Sequence, residues 1–296
     1  MKFLITVFYL QIFVVLSVYA SDPLRRQIQA IVDKVDAEVG VALIVDGKDT
    51  LTVNNDARYP LMSVMKFHQA LAVTHYLEER GLPLSTTIRV EKSDLLPDTY
   101  SPLRDRYPEG GVSLPVSELL AYTLGLSDNN ACDILFRYIG GVAVADGFIR
   151  SLGMDDFALS ATEDDMHRHP QTCYDNWSTP LSTALLMDKL VAGALPIDTA
   201  YTHFLCQTLL ACQTGKERLP APLQGSTARI GHKTGTSDRN GRGEWTGIND
   251  AGFVLLPHGR RYAIAVLVKH SRLSLRDTEK IIADISAVVY RHLSAR

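Results

Sequence analysis

The chain predicts an α/β (α+β) fold, in which β-strands from both ends pair and an all-helical subdomain is inserted between them. Two observations carry this prediction. Runs with β character lie toward the two ends of the 296 residues, and the long middle reads as helices. The last β run is followed by a helix-period segment, so a terminal helix packs beside the strands.

The elements follow in order. Lys2, an apolar stretch from Phe3 to Val18 broken only by Thr6, Gln11 and Ser17, and then Val18-Tyr19-Ala20 read as a cleavable secretory signal over residues 1–20. The mature protein is then expected to begin at Ser21, secreted or periplasmic and without stable membrane insertion. The competing reading is an uncleaved anchor, but the stretch is near the lower limit for a span. Val39–Val45 and Thr50–Val53 flank Asp46-Gly47, a tight-turn signal for a hairpin. From Ser63, the residues Phe67, Leu71, Val73, Tyr76 and Leu77 fit a helix that stops at Gly81. Ser113 with Pro115 is expected to open a second helix through Glu118, Leu119 and Leu120. Thr179-Pro180 caps and starts a third through Met187, Leu190 and Val191. Ala228–Thr234, Asp250–Leu256 and Tyr262–Val268 supply three further strands. In the closing helix, Asp277 to Leu293, apolar residues recur at Ile281, Ile282, Ile285, Val288 and Val289. Two hairpin strands alone are marginal, so the strands of both ends must pair. Residues 21–60 and 215–296 are assigned to the sandwich and 61–214 to the helical subdomain, with a cleft expected at their junction.

Net charge is −3 and the basic residues are scattered, which argues against nucleic acid and for a small-molecule partner. Cys132, Cys173, Cys206 and Cys212 lack the dense spacing of a disulfide scaffold and are expected as buried free thiols.

The chemistry is concentrated in three short motifs: Ser63-Val-Met-Lys66, Ser127-Asp-Asn129 and Lys233-Thr-Gly235. Residues three apart share one helix face, so Lys66 can take a proton from the Ser63 hydroxyl. A lysine on an apolar helix face must be neutral or paired. One Ser-x-x-Lys arises by chance roughly once in such a chain, but the three motifs in order hardly ever do. Here the chain resembles the class A serine β-lactamases over nearly its whole mature length.

That resemblance implies an antiparallel five-stranded sheet flanked by terminal helices. It implies a Ser63 nucleophile, Lys66 as base and Ser127 as proton relay to the leaving nitrogen. Asn129 would hold the substrate amide and Lys66. Lys233, Thr234, Thr236 and Ser237 would bind the substrate carboxylate, with Gly235 allowing close approach, and the Ser63 and Thr236 N–H groups would form the oxyanion hole. Asp128 is expected to knit its own loop. The hydroxyl pair Thr236 and Ser237 resembles the cephalosporin-preferring members. One of Arg229, Arg239 and Arg242 would assist the carboxylate.

A base must activate water to break an acyl-enzyme, and Glu163 in Ala161-Thr-Glu-Asp-Asp-Met-His167 is the matching carboxylate. Asp164 and Asp165 are lesser candidates. His167 stands where most of the class has Asn and would help position the water. Ala161 and Asn176 replace the ion pair that usually closes this loop. His167-Arg168-His169 lacks companion ligands, so no metal and no cofactor is expected. Trp177 and Trp245 read as packing residues. The implied activity is hydrolysis of β-lactams by a monomer, conferring antibiotic resistance. A DD-peptidase and a β-lactam-binding sensor share the nucleophile. Glu163 argues against the first, and the lack of a second span against the second.

Overall fold

The computed structural model describes residues 23–294. The proposed signal and its cleavage before Ser21 lie outside them. Among the described residues no helix is long and apolar enough to cross a membrane.

Helix α1 (residues 23–32) leads into the hairpin β1 (Glu38–Val45) and β2 (Asp49–Val53). After β3 (Tyr59–Pro60) come α2 (Met65–Glu79), β4 (Thr87–Val90), α3 (Pro102–Arg106), β5 (Val112–Pro115) and α4 (Val116–Gly125). Then follow α5 (Asn129–Ile139), α6 (Val142–Ser151), β6 (Phe157–Ala158), α7 (Glu163–Arg168), β7 (Trp177–Ser178), α8 (Pro180–Val191) and α9 (Thr199–Leu210). The chain closes with β8 (Arg229–Thr236), β9 (Ile248–Leu255), β10 (Arg261–Lys269) and α10 (Leu275–Ser294).

The five long strands form one sheet in the order β2-β1-β10-β9-β8, every neighbouring pair antiparallel. Strand β1 is buried along nearly its whole length because both faces of the sheet are covered. Ala42, Ile44, Phe253, Ala263 and Ala265 face the helical layer, while Val41, Leu43, Val254, Ile264 and Val266 face Ile28 of α1 and Ile281, Ile282 and Ile285 of α10. This two-residue alternation is what the pleat dictates. Strand β8 is an edge, and its free side borders the helical layer's cleft.

Helix α2 is the axis of that layer, with a wall almost entirely buried, including Lys66, His68 and Gln69. The middle of the chain is not all-helical, however. β3, β7 and β6 form a small sheet, and β4 pairs with β5. Ser113 accordingly sits in β5, and Pro115 ends that strand at the position before α4 rather than in the first turn of the helix. Thr179 and Pro180 cap and start α8 as expected: the Thr179 side chain accepts the Ser182 N–H. All four cysteines are free, Cys132 and Cys173 buried but Cys206 and Cys212 only partly so, and Cys212 lies beyond the end of α9.

Candidate active site

The turn at Leu61–Ser63 is strained. Met62 has φ +49°, a left-handed conformation unfavourable for a residue with a side chain. It is over-determined by its surroundings: Asn249 Nδ2 on β9 donates to Pro60 O (2.7 Å) and Leu61 O (3.1 Å), and the Leu61 N–H donates to Asn176 O (2.8 Å). Ser63 lies inside a short 3₁₀ turn, Met62–Val64, rather than capping α2 with its side chain. Gly235 serves this turn too. A Cβ there would lie 2.6 Å from Leu61 O, so its bareness admits the Leu61–Ser63 backbone rather than a ligand.

Lys66, one turn on and fully buried, donates to Ser63 Oγ (3.0 Å), Ser127 O (2.8 Å) and Asn129 Oδ1 (2.6 Å), and its Nζ pairs with Glu163 Oε1 at 2.8 Å. Ser63 Oγ in turn donates to Glu163 Oε1 at 3.3 Å. Three sequence segments, Ser63–Lys66, Ser127–Asn129 and the one carrying Glu163, thus meet on one ammonium group. Ser127 is a second left-handed residue, φ +62°. Asp128 fixes its turn, accepting from Ser101 Oγ (2.9 Å) and from the N–H groups of Leu103 (2.6 Å) and Ala131 (2.9 Å). Lys233, fully buried on β8, donates to Ser127 Oγ (2.9 Å) and Thr234 O (2.8 Å). Burial and the neighbouring charge of Lys66 bring its ammonium down to about 7.

Glu163 stands at the first position of α7, whose N-terminus Thr162 and Asp165 close as a capping box. Asp133 on α5 accepts the N–H groups of Glu163 and Asp164, both at 2.9 Å. Burial and the charge of Glu163 push that carboxyl up to about 7, although the two N–H donors favour its ionised form. The segment is closed by Asn176, completely buried. Its Oδ1 accepts from Ser160 N (2.8 Å) and Ala161 N (3.0 Å), and its Nδ2 donates to Ala161 O (2.8 Å). Asp164 is engaged by Arg168 (2.7 Å) and Asp165 by the cap, which leaves Glu163 as the carboxylate facing Ser63. His167 is exposed and lines the cleft beside Glu163.

At the other end of the cleft Thr234 Oγ1 meets Thr214 Oγ1 at 2.7 Å. Thr236 Oγ1 accepts from Arg218 Nη2 (2.7 Å), and Ser237 Oγ accepts the Gly247 N–H (3.0 Å), so both hydroxyl protons remain available. Arg218, nearly fully buried, also donates to Gly235 O and Asn249 O (each 2.9 Å) and pairs with Glu279 (3.1 Å). The arginine that reaches the Lys233–Thr236 strand edge is therefore Arg218. Arg229 is exposed at the start of β8, Arg242 pairs with Glu244, and Arg239 reaches Leu273 O while lining only the outer cleft. The cleft comprises adjoining recesses of about 370 and 290 Å³ that share Met62, Asn129, Glu163 and Thr236. Trp177 and Trp245 line neither; each stacks under an arginine, Arg58 and Arg239.

Arg218, Asp133, Asn249 and Thr214 were not singled out by sequence reasoning. Asn249-Asp250 gave a signal, since polar residues opening a central strand need partners. Arg218 in Lys216-Glu-Arg218 gave none.

Comparison with known proteins agrees with this geometry. The profile of the "Beta-lactamase enzyme family" matches residues 23–293. A β-lactamase of Bacteroides uniformis is 40% identical over 267 residues, covering 90% of each chain. The extended-spectrum β-lactamase PER-1 of Pseudomonas aeruginosa is 36% identical over 272 residues, 92% of this chain and 87% of that one. A class A β-lactamase structure from Bacteroides cellulosilyticus superposes with TM-score 0.89 at 39% identity, covering 94% of this chain and 99% of that one. The chain thus belongs to the β-lactamase enzyme family, as a class A serine β-lactamase, a hydrolase of β-lactams.

Proposed function

We propose that the protein hydrolyses β-lactams, cephalosporins in particular, through an acyl-enzyme on Ser63 that a Glu163-activated water releases, and that it does so after export and cleavage before Ser21. The observation that carries this reading is the meeting of Ser63 Oγ, Lys66 Nζ and Glu163 Oε1 within 3.3 Å.

The proton count around Lys66 supports the roles. Ser127 O and Asn129 Oδ1 can only accept, so they take two N–H groups. If the third proton passes to Glu163, the amine lone pair faces Ser63 Oγ and can receive its proton. Ser63 Oγ then attacks the lactam carbonyl and the C–N bond breaks. Ser127 Oγ, which accepts from Lys233, has its own proton free for the leaving nitrogen, and the proton that Lys66 took from Ser63 replaces it. The Ser63 and Thr236 N–H groups would hold the oxyanion. Lys233, Thr234, Thr236, Ser237 and Arg218 would hold the carboxylate. In release, Glu163 first returns to Lys66 the proton it took, then receives one from the water that adds to the ester, and passes that proton to Ser63 as it leaves; His167 at the cleft wall would help seat that water.

The cephalosporin assignment rests on the two available hydroxyls of Thr236 and Ser237 and on the likeness to an extended-spectrum relative. A DD-peptidase would share every acylation group, but it has no use for a carboxylate in reach of the nucleophile. The decisive test is Glu163→Gln mixed with a cephalosporin. Ser63 should acylate and product release should slow by about 10²–10⁴, so intact mass shows the adduct accumulating. Turnover at the wild-type rate would place the base elsewhere.

A further inference from the structure

The outer recess, about 370 Å³, runs between two walls. Met166, Gln171 and Tyr174 line one, and Ser237, Arg239 and Gly241, from the connection between β8 and β9, line the other. Neither wall belongs to a long element, so the gap between them must be set from elsewhere. The structure ties both to one corner, residues 270–273, where the chain passes from β10 to α10. On the β8–β9 side, the Trp245 N–H donates to Ser271 O (2.9 Å), and Trp245 Nε1 and Arg239 Nη2 donate to Leu273 O (3.1 and 2.7 Å). Arg272 Nη2 pairs there with Glu244 Oε1 at 2.9 Å. On the opposite side, Tyr174 Oη meets His270 Nε2 at 3.3 Å. Thr172, two residues earlier, bonds back to His169 O within its own turn, so it is Tyr174 that reaches out to the corner.

The corner is itself fixed. Ser271 is fully buried, its Oγ meets Thr278 Oγ1 of α10 at 2.8 Å, and the Arg272 N–H donates to Asp36 O (3.2 Å). His270 Nδ1 meets Glu38 Oε1 at 2.8 Å, while Lys269 holds the other oxygen of that carboxylate at 3.1 Å. Burial acts to raise the Glu38 carboxyl, but the bonds from His270 and Lys269 outweigh it and hold it below its usual range. An ionised carboxylate can only accept, so Nδ1 carries a proton, and in the neutral ring Nε2 is left to accept from the Tyr174 hydroxyl. His270 also takes the left-handed conformation at the end of β10, with φ +53°.

Thr234, Thr236 and Arg218, proposed above to hold the substrate carboxylate, line the inner recess. In a β-lactam the acylamino side chain projects from the end of the ring system opposite that carboxylate, so on this reading it enters the outer recess. We propose that His270, acting through Tyr174, is a positioning residue that fixes the gap between the two walls and so selects among acyl side chains. A wide side chain touches both walls and gains from a gap held fixed, whereas a narrow one touches only one. His270 itself lines neither recess. The selectivity rests on the proposed β-lactam chemistry; the brace does not.

The test compares cephalothin with cefotaxime, which share a ring system and an acetoxymethyl group but carry a narrow and a wide acyl chain. His270→Asn suits it, because Asn tolerates the left-handed backbone and its amide can still meet Glu38 but falls short of Tyr174. Acylation efficiency, read as kcat/KM, should fall about fivefold for cefotaxime, the factor that one neutral hydrogen bond carries, and hold for cephalothin. A merely structural loss would lower both alike. Tyr174→Phe should shift the preference by the same factor, and the double variant should lose no more than either single one. Independently of turnover, trypsin should cut after the exposed Arg168, between Met166 and Gln171 in the same wall, about fivefold faster in each variant, since opening that wall no longer breaks a bond to His270. An unchanged preference between the two cephalosporins, additive losses in the double variant, or cleavage at the wild-type rate would each overturn the proposal. A wild type acylated by neither cephalosporin would sink the β-lactam reading and the selectivity with it, while the cleavage rates would still decide the brace.

Discussion

The two sides of the cleft are built differently. On one, Lys66 and Lys233 are fully buried on α2 and β8, elements held by the two largest cores of the molecule. On the other, Glu163 sits on the six-residue α7, whose next residues His167, Arg168 and His169 are exposed. That segment is held by Asn176, Asp133 and the Thr162 cap rather than by packing alone. The groups proposed for acylation thus stand on long core elements, whereas the group proposed for release stands on a short helix that adds a few hydrogen bonds to the packing of Ala161 and Met166. Damage to the second side should therefore uncouple release from acylation without unfolding the protein.

Four experiments can break or sharpen this contrast. The largest effect should come from Lys233→Ala, which should lower acylation efficiency by about 2–4 kcal/mol, the cost of losing one partner of a desolvated charge pair. Breakdown of the acyl-enzyme formed should change little; equal losses in both steps, followed by stopped flow, would erase the division. Next, Asn176→Ala should leave the Ser160 and Ala161 N–H groups unsatisfied. It should cost about 1–3 kcal/mol of stability and slow release more than acylation. Thermal melting and pre-steady-state rates would show whether acylation suffers instead.

The third experiment is a pH profile. Lys233 sits near 7 because burial and Lys66 disfavour its charge, so the free enzyme loses that charge as pH rises through 7. Acylation efficiency toward a carboxylate-bearing β-lactam should fall on this limb by about tenfold per pH unit. Lys233→Arg should abolish the limb, since a guanidinium stays charged. A limb that persists in the arginine variant belongs to another group. Smallest, His167→Ala should slow release only a few-fold, on the order of 1 kcal/mol; unchanged release would remove His167 from the water site.

Much of this was legible in the sequence. The three motifs gave Ser63, Lys66, Ser127, Asn129 and Lys233, and the structure brings all five together because helix period and strand edge fix their neighbours. The outer strands and α10 followed from their apolar period. What escaped depends on long-range pairing. Ser113 carries a helix-start signal, yet β4 captures it as a strand partner, tertiary pairing outweighing local propensity. Arg218 acts through contacts 17 and 31 residues away, which no local pattern records. Gly235 was read as room for a ligand, but the atom it spares is Leu61 O, 174 positions away in sequence.

Asn176 has one further consequence. An ion pair closing the Glu163 segment would weaken as dissolved salt screened it, within a Debye length of about 8 Å at physiological ionic strength. Neutral amide bonds from Asn176 to Ser160 and Ala161 carry no net charge to screen. The part of the grip on Glu163 that Asn176 supplies should therefore be indifferent to salt, and Asn176→Ala should change the release rate by the same factor at low and at high ionic strength.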